Sequence, residues 1–437
     1  MNLRKLADYL DNKIYYMLLF TVAVIPLRQE FTAFCVAVTF IVAVLNSFYK
    51  GRKNPPVLQK WQQGALYLLF IIGWISLHFS LDKFISSWNY VYVAGQYSAL
   101  LFVLLRYGWQ KPQPFAEAAK ETETISGWRG YWQQFSCLPR PLQLISAFML
   151  MSVFVSGLGI FQKIFGVTAD GVWVDPAQFP DIKVRVFSTL VNPNILGGYL
   201  VLVIAYTAAF FNMTKGRRNW RLAFLATGIL ASICLLYTYS RGNWLACAAV
   251  LLTFCICFCR KAFIPIIMGS VAVFASGGHA VMHRLASIGG SGDTSTALRL
   301  AYLKSTKWII EAYPFGVGWY GYRFVYPTYN FYLADTSVIM YHCHNMFLNV
   351  WSELGLHGLL VFLLIWWGIF LRTGWRLAYH GRSWWLKAMG RGYVLASISI
   401  TIGGLTDHVY FNTQMGLLFW LLGGLTMLSN KLDKYEM

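Results

Sequence analysis

The chain has 437 residues, of which 57% are apolar and only 12% charged, and its formal net charge is +19. A soluble protein carries about twice that charged fraction, and no basic stretch is interleaved with a soluble module, which argues against a nucleic-acid binder. The excess of lysine and arginine fits a membrane protein, where basic residues gather in cytoplasmic loops.

Apolar runs of about 17–25 residues recur from end to end, each long enough to cross a ~30 Å hydrocarbon layer as a helix. In chain order they predict about twelve spans, at approximately 14–30, 31–48, 64–80, 90–106, 142–165, 194–213, 221–240, 243–259, 262–280, 350–371, 392–406 and 414–429. The first run, Ile14 to Leu27, has no small-residue cleavage site after it, so no cleavable signal peptide is expected. No strand pattern or repeat stands out. The expected fold class is therefore all-α, a single polytopic transmembrane domain over 1–437.

Arg4, Lys5 and Lys13 place the N-terminus in the cytoplasm. Alternating sides from there makes every cytoplasmic loop basic, including Lys50 to Lys60, Lys215 to Arg221 and Arg372 to Arg391, and returns the C-terminus to the same side. Two external connections are long, 166–193 and 281–349. The second contains a Gly/Ser-rich turn ("IGGSGDTS"), a helical stretch ("LRLAYLKSTKWIIEAYP") and many tyrosines, and is expected to form a large periplasmic cap. The eight cysteines lie mostly inside apolar runs and are read as small packing residues.

Charge at the edge of a bilayer is costly and is read as functional. Arg241 stands between two apolar runs with almost no loop around it. Asp407 is a lone carboxylate at the outer end of the eleventh span, beside His408. A snorkelling anchor and a helix cap are the structural alternatives for these two residues. Arg185 and Arg299 lie in the external loops, and with Arg241, His344 and Asp407 they thread to one face. Guanidinium groups bind phosphate oxygens in pairs, and an imidazole is suited to taking a proton from a hydroxyl. Together these groups describe transfer from a lipid diphosphate to an acceptor alcohol.

In "YHCHNM" (341–346), His342 and His344 are two residues apart. An extended segment would point them to opposite faces with no carboxylate nearby, so no metal site is expected there. Transport of an anion is the competing function. However, transporters keep polar groups near the bilayer midplane, and here the spans hold few ionisable residues, His78 being the main exception.

The stretch "HNMFLNVWSELGLHG" (344–358) resembles the signature of the O-antigen ligase and polymerase superfamily, matching at His344, Asn345, Gly355 and Gly358. "FSTLVNPNILGGYL" (187–200), "SRGNWLA" (240–246) and the long outer loop resemble motifs of the same superfamily, over roughly 140–430 in all. The first of these also resembles a branch named for bicarbonate transport.

The resemblance implies a GT-C type, metal-independent, inverting glycosyltransferase of the bacterial inner membrane, without a cofactor. Its donor would be a glycan on undecaprenyl diphosphate at the periplasmic side. Its acceptor would be the lipid A core, another lipid-linked repeat or a protein side chain, with membrane lipids around it. It implies His344 as general base and Asp407 as the late acidic residue beside it. Arg241 and Arg299 would grip the diphosphate, with Arg185 a further candidate. Asn192 and Asn194 would shape the donor pocket, and Asn345 would support the histidine.

Overall fold

The computed structural model describes residues 3–50, 56–110, 128–167, 179–287, 294–331 and 339–435. Part of the 166–193 loop, most of the Gly/Ser-rich turn, the segment 332–338 of the expected cap, and the basic residues Arg52, Lys53, Lys111 and Lys120 lie outside them. Among the described residues all regular structure is helical.

The first half of the chain forms α1 (Leu3–Val24), α2 (Gln29–Lys50), α3 (Lys60–Ser76), α4 (Lys83–Tyr107), α5 (Trp128–Cys137), α6 (Arg140–Phe165) and α7 (Pro193–Met213). The second half forms α8 (Arg218–Tyr237), α9 (Arg241–Cys257), α10 (Phe263–Ser276), α11 (Gly278–Ala286), α12 (Thr294–Ala312), α13 (Tyr322–Val325), α14 (Met346–Leu363), α15 (Arg372–His380), α16 (Trp384–Thr406) and α17 (Thr413–Tyr435). A π-helical stretch at 364–371 joins α14 to α15.

Each of the twelve expected spans falls on a helix, but fewer qualify as crossings by length and apolarity. Among the described residues seven helices do so, the stretch from α14 through α15 counting as one, and the bent pair of 260–276 and α11 makes an eighth only where it is taken as a single span. α9 is apolar but short. α1, α4 and α16 are long, but their sequences carry charged and polar residues such as Asp11, Gln96 and Arg391. The chain is a multi-pass helical membrane protein.

Two helices form the axis. The apolar window of α17 is 94% buried and that of α7 is 83% buried, against 28–44% in the other five. Small residues on them and on the helices packed against them allow close approach, as at helix interfaces in membranes. A Cβ on Gly424 would meet Leu104 of α4, and one on Gly392 of α16 would meet the Tyr206 ring of α7.

The expected span at 262–280 is not straight. Gly278 takes φ +68, and the chain turns by 113° between α10 and α11. This lays α11 across the end of the bundle where α7, α9 and α14 begin. Inside α14, Gly355 has φ 70 and ψ 174, a conformation open in practice only to glycine. The break leaves the carbonyls of Ser352 and Glu353 free, and they accept from Val317 N–H at 2.8 Å and Gly318 N–H at 3.0 Å. The motif glycine thus docks the 314–321 turn onto the helical bundle.

Candidate active site

Three helix N-termini converge at one end of the bundle. α7, α9 and α14 start at Pro193, Arg241 and Met346, preceded by Asn192, Ser240 and Asn345. Asn192 accepts from Asn194 N–H at 2.8 Å and Asn345 from Leu348 N–H at 3.0 Å, so both are helix caps. Asn345 also donates to Leu405 O at 3.2 Å, tying α14 to the end of α16.

The "SRG" and "NPNILGG" glycines are sites of close approach. A Cβ on Gly242 would stand 2.6 Å from Thr406 Oγ1, and one on Gly197 would collide with the Asn243 amide. Asn243 in turn donates to Asn194 O at 2.8 Å. Unfilled helix N–H groups and the macrodipole make such a junction attractive to anions.

His344 and Asp407 meet there. His344 Nδ1 lies 2.8 Å from Asp407 Oδ1, and the imidazole stacks on Tyr302 at 5.4 Å. Asp407 Oδ1 also accepts from His408 N–H at 2.8 Å, and Oδ2 from Asn194 Nδ2 at 3.2 Å. The Arg299 guanidinium is 3.9 Å from Oδ2. Arg299 and Tyr302 are three residues apart on α12, which puts them on one face and lets both reach this site. Burial works to raise the pKa of Asp407, but the hydrogen bond from His344 and the charges around it outweigh that and hold its carboxyl far below the usual range. An ionised carboxylate only accepts, so Nδ1 carries a proton, and in the neutral imidazole that leaves Nε2 as the acceptor. The His344 side chain remains 27% exposed while Asp407 is 15% exposed, so the imidazole is the reachable member of the pair.

Beside the pair lies a basic cluster. Burial pushes the Arg185 pKa below that of an ordinary guanidinium, and so do the nearby charges of Arg284, Arg299 and Arg241, with Asp407 acting in the opposite sense. Arg185 donates from Nε to Thr238 O at 2.7 Å and from Nη2 to Asn194 Oδ1 at 3.0 Å. Arg284 reaches Tyr239 O at 3.5 Å and lies over the Phe179 ring. Arg241 donates to Ser287 O at 3.2 Å and Ser287 Oγ at 3.0 Å. Four guanidiniums with one carboxylate among them leave an excess of positive charge, and paired guanidinium donors are the groups that bind phosphate-like anions.

All eight candidates named from sequence lie in or against this junction: His344, Asp407, Arg241, Arg299, Arg185, Asn345, Asn192 and Asn194. Three residues not chosen from sequence join them. Arg284 arrives through the bend at Gly278, Tyr302 backs the imidazole, and His342 packs 4.5 Å from the His344 ring.

The expectation that His342 and His344 face opposite ways fails. Side chains alternate along an extended segment, so residues two apart share a face; here His344 also adopts φ +55, and its N–H donates to His342 Nδ1 at 3.2 Å. With Asp407 brought in from a distant part of the chain, the ligand atoms of the three residues lie within 4.8 Å of one another. The surrounding guanidiniums oppose a divalent cation there, and Asp407 is already engaged by His344 and Arg299.

The fold and site define a polytopic membrane protein with a hydrogen-bonded imidazole beside a cluster of guanidinium groups. Residues 226–363 match the family described as O-antigen ligase, which supports the O-antigen ligase and polymerase superfamily and a membrane enzyme of that kind. The matched segment contains Arg241, Arg284, Arg299 and His344 and lends no support to anion transport. No curated protein matches the chain.

Proposed function

We propose that the protein is a glycosyltransferase of the bacterial inner membrane, with both termini cytoplasmic and its site open to the periplasm. It moves a glycan from undecaprenyl diphosphate to a hydroxyl of an acceptor, the lipid A core in the first instance. The observation carrying this reading is the 2.8 Å His344–Asp407 contact set against the Arg185, Arg241, Arg284 and Arg299 cluster.

His344 Nε2 takes the proton of the acceptor hydroxyl as its oxygen bonds to the anomeric carbon. The bond from that carbon to the diphosphate oxygen breaks on the opposite face, inverting the centre, and undecaprenyl diphosphate leaves with the electron pair. Asp407 keeps the imidazole in one tautomer and offsets the charge it gains. The guanidiniums and three helix N-termini offset the charge that grows on the leaving group. No metal or other cofactor is needed for these steps. The acceptor is read by the segment 281–349. A polymerase or protein glycosyltransferase would use the same chemistry with a different acceptor.

The test is transfer in proteoliposomes holding undecaprenyl-diphosphate glycan and rough lipopolysaccharide. His344→Ala and Arg241→Ala, correctly folded, should each lose transfer. Full activity in either variant overturns the proposal.

A further inference from the structure

Two residues beside α14 take a left-handed backbone although neither is glycine: His344 at φ +55 and Tyr320 at φ +59. That conformation is uncommon for a residue other than glycine and persists where the surroundings fix it. Both are fixed from α14.

His344 is held at both neighbours. Asn345 after it caps the helix and donates to Leu405 O. Cys343 before it is fully buried, in an apolar cluster with Tyr302, Tyr322 and Met340. The Cys343 N–H donates to Asn349 Oδ1 at 3.2 Å. Asn349 is 4% exposed and lies one turn inside the helix, so its amide reaches back past the cap to the backbone that leads into the base.

Tyr320 is held one turn further along. Its N–H donates to Glu353 Oε2 at 3.1 Å, next to the Val317 and Gly318 bonds to the Ser352 and Glu353 carbonyls. The Tyr320 hydroxyl accepts from Arg323 Nη1 at 3.0 Å, and the Arg323 guanidinium lies over the Tyr341 ring at 4.9 Å. Tyr320 and Tyr341 themselves approach to 6.2 Å, and Tyr341 stands three residues before His344.

Asn345, Asn349 and Glu353 are spaced by four, a polar stripe along one face of the helix. Helix stability does not call for it. The end is already capped, asparagine is a weak helix former, and a polar group inside an apolar helix is costly unless bonded. What the two inner residues bond is the backbone of the segment that carries the base.

Resting on the glycosyltransferase reading above, we propose that Asn349 and Glu353 are positioning residues for His344. Asn349, through the Cys343 N–H, fixes the left-handed turn that presents His344 Nδ1 to Asp407. Glu353, through Tyr320, fixes the turn that braces that segment from the other side.

The test uses the full chain in proteoliposomes, with single-turnover transfer at saturating donor and acceptor. Asn349→Ala should lower kcat about tenfold to a hundredfold, the scale of misplacing a reacting group by about 1 Å. Its affinity for undecaprenyl diphosphate in vesicles should stay within about twofold of wild type. In protein labelled at histidine nitrogen, the Nδ1–H resonance of His344, identified by its absence in His344→Ala, should move in Asn349→Ala. Asn349→Ser carries the same expectations should the alanine variant not fold, because its hydroxyl turns to the preceding helical carbonyls and is too short to reach Cys343 N–H. Glu353→Leu should lose about tenfold in kcat, the scale of one hydrogen bond. Glu353→Gln keeps an oxygen for the Tyr320 N–H and should restore most of that loss.

An unmoved His344 resonance in the folded Asn349 variant overturns the proposal and marks a role in helix stability alone. A wild-type kcat, or a loss carried by donor affinity, overturns it as well. Glu353→Gln as impaired as Glu353→Leu also overturns it, since the carboxylate charge would then be what counts. Transfer that persists in His344→Ala defeats the glycosyltransferase mechanism instead, and the histidine resonance, which needs no transfer, tells the two failures apart.

Discussion

Asp407→Asn isolates the carboxylate's charge from its shape. Asn keeps the volume and an oxygen able to accept from His408 N–H and His344 Nδ1–H, both now at 2.8 Å. The negative charge beside the imidazole is lost. Two unit charges about 4 Å apart interact by about 4 kcal/mol at an effective dielectric constant of about 20. That energy is withdrawn only when the imidazole gains the acceptor's proton, so it falls on the transition state. At 1.36 kcal/mol per decade the expected loss in kcat is about 10³-fold, within the ~10²–10⁴ range of general base catalysis. The donor KM should stay level or fall, because the arginines lose their internal counter-charge. Single-turnover transfer in proteoliposomes with saturating donor and acceptor reads the step directly. A kcat within about threefold of wild type, or a loss carried by the donor KM, would refute the assignment of Asp407 as the group that orients and balances His344.

Arg241→Ala and Arg299→Ala should each weaken binding of undecaprenyl diphosphate by about tenfold to a hundredfold, the scale of one charge-assisted hydrogen bond; equilibrium binding to vesicles containing the lipid checks this. Burial pushes the His408 pKa down to about 4 from 6.5, with His344 adding to the fall and Asp407 resisting it. The unfolded chain therefore takes up a proton below about pH 6.5 that the folded chain refuses until about pH 4, and the stability tied to His408 is lost as pH falls through that window, by about 3 kcal/mol. Thermal unfolding in detergent should show a drop over that window that is smaller in His408→Gln. Gly355→Ala should cost about 1–3 kcal/mol through backbone strain, with further strain because the added Cβ would sit 2.8 Å from Phe315 O, and thermal unfolding measures the loss. Asn345→Ala removes a helix cap and should cost about 1 kcal/mol, read from the same transition.

The helices were legible because apolar runs of membrane length announce themselves, and several motif residues were legible because they sit where a helix begins or ends. Asn192 and Asn345 are caps, Ser240 and Arg241 open α9, and Asp407 closes α16. The rest depended on backbone turns that no periodicity encodes. The 113° bend that delivers Arg284 hangs on Gly278, and the turn at His344 hangs on a positive φ at a non-glycine residue. Tyr302 had no signal beyond its spacing from Arg299. Asn349 and Glu353 look like stray polar residues in an apolar helix until the turns they hold are packed against it. The span count was harder to read because charge inside α1, α4 and α16 dilutes runs that nonetheless form long helices.

The most direct measurement is a structure of the protein in nanodiscs with undecaprenyl diphosphate bound. The diphosphate should lie within about 3 Å of guanidinium nitrogens from Arg241 and Arg299, at the N-terminal ends of α7 and α9, with His344 Nε2 facing the carbon side of the phosphate. Diphosphate density at the opposite end of the bundle, or out of reach of every one of these arginines, would contradict the account.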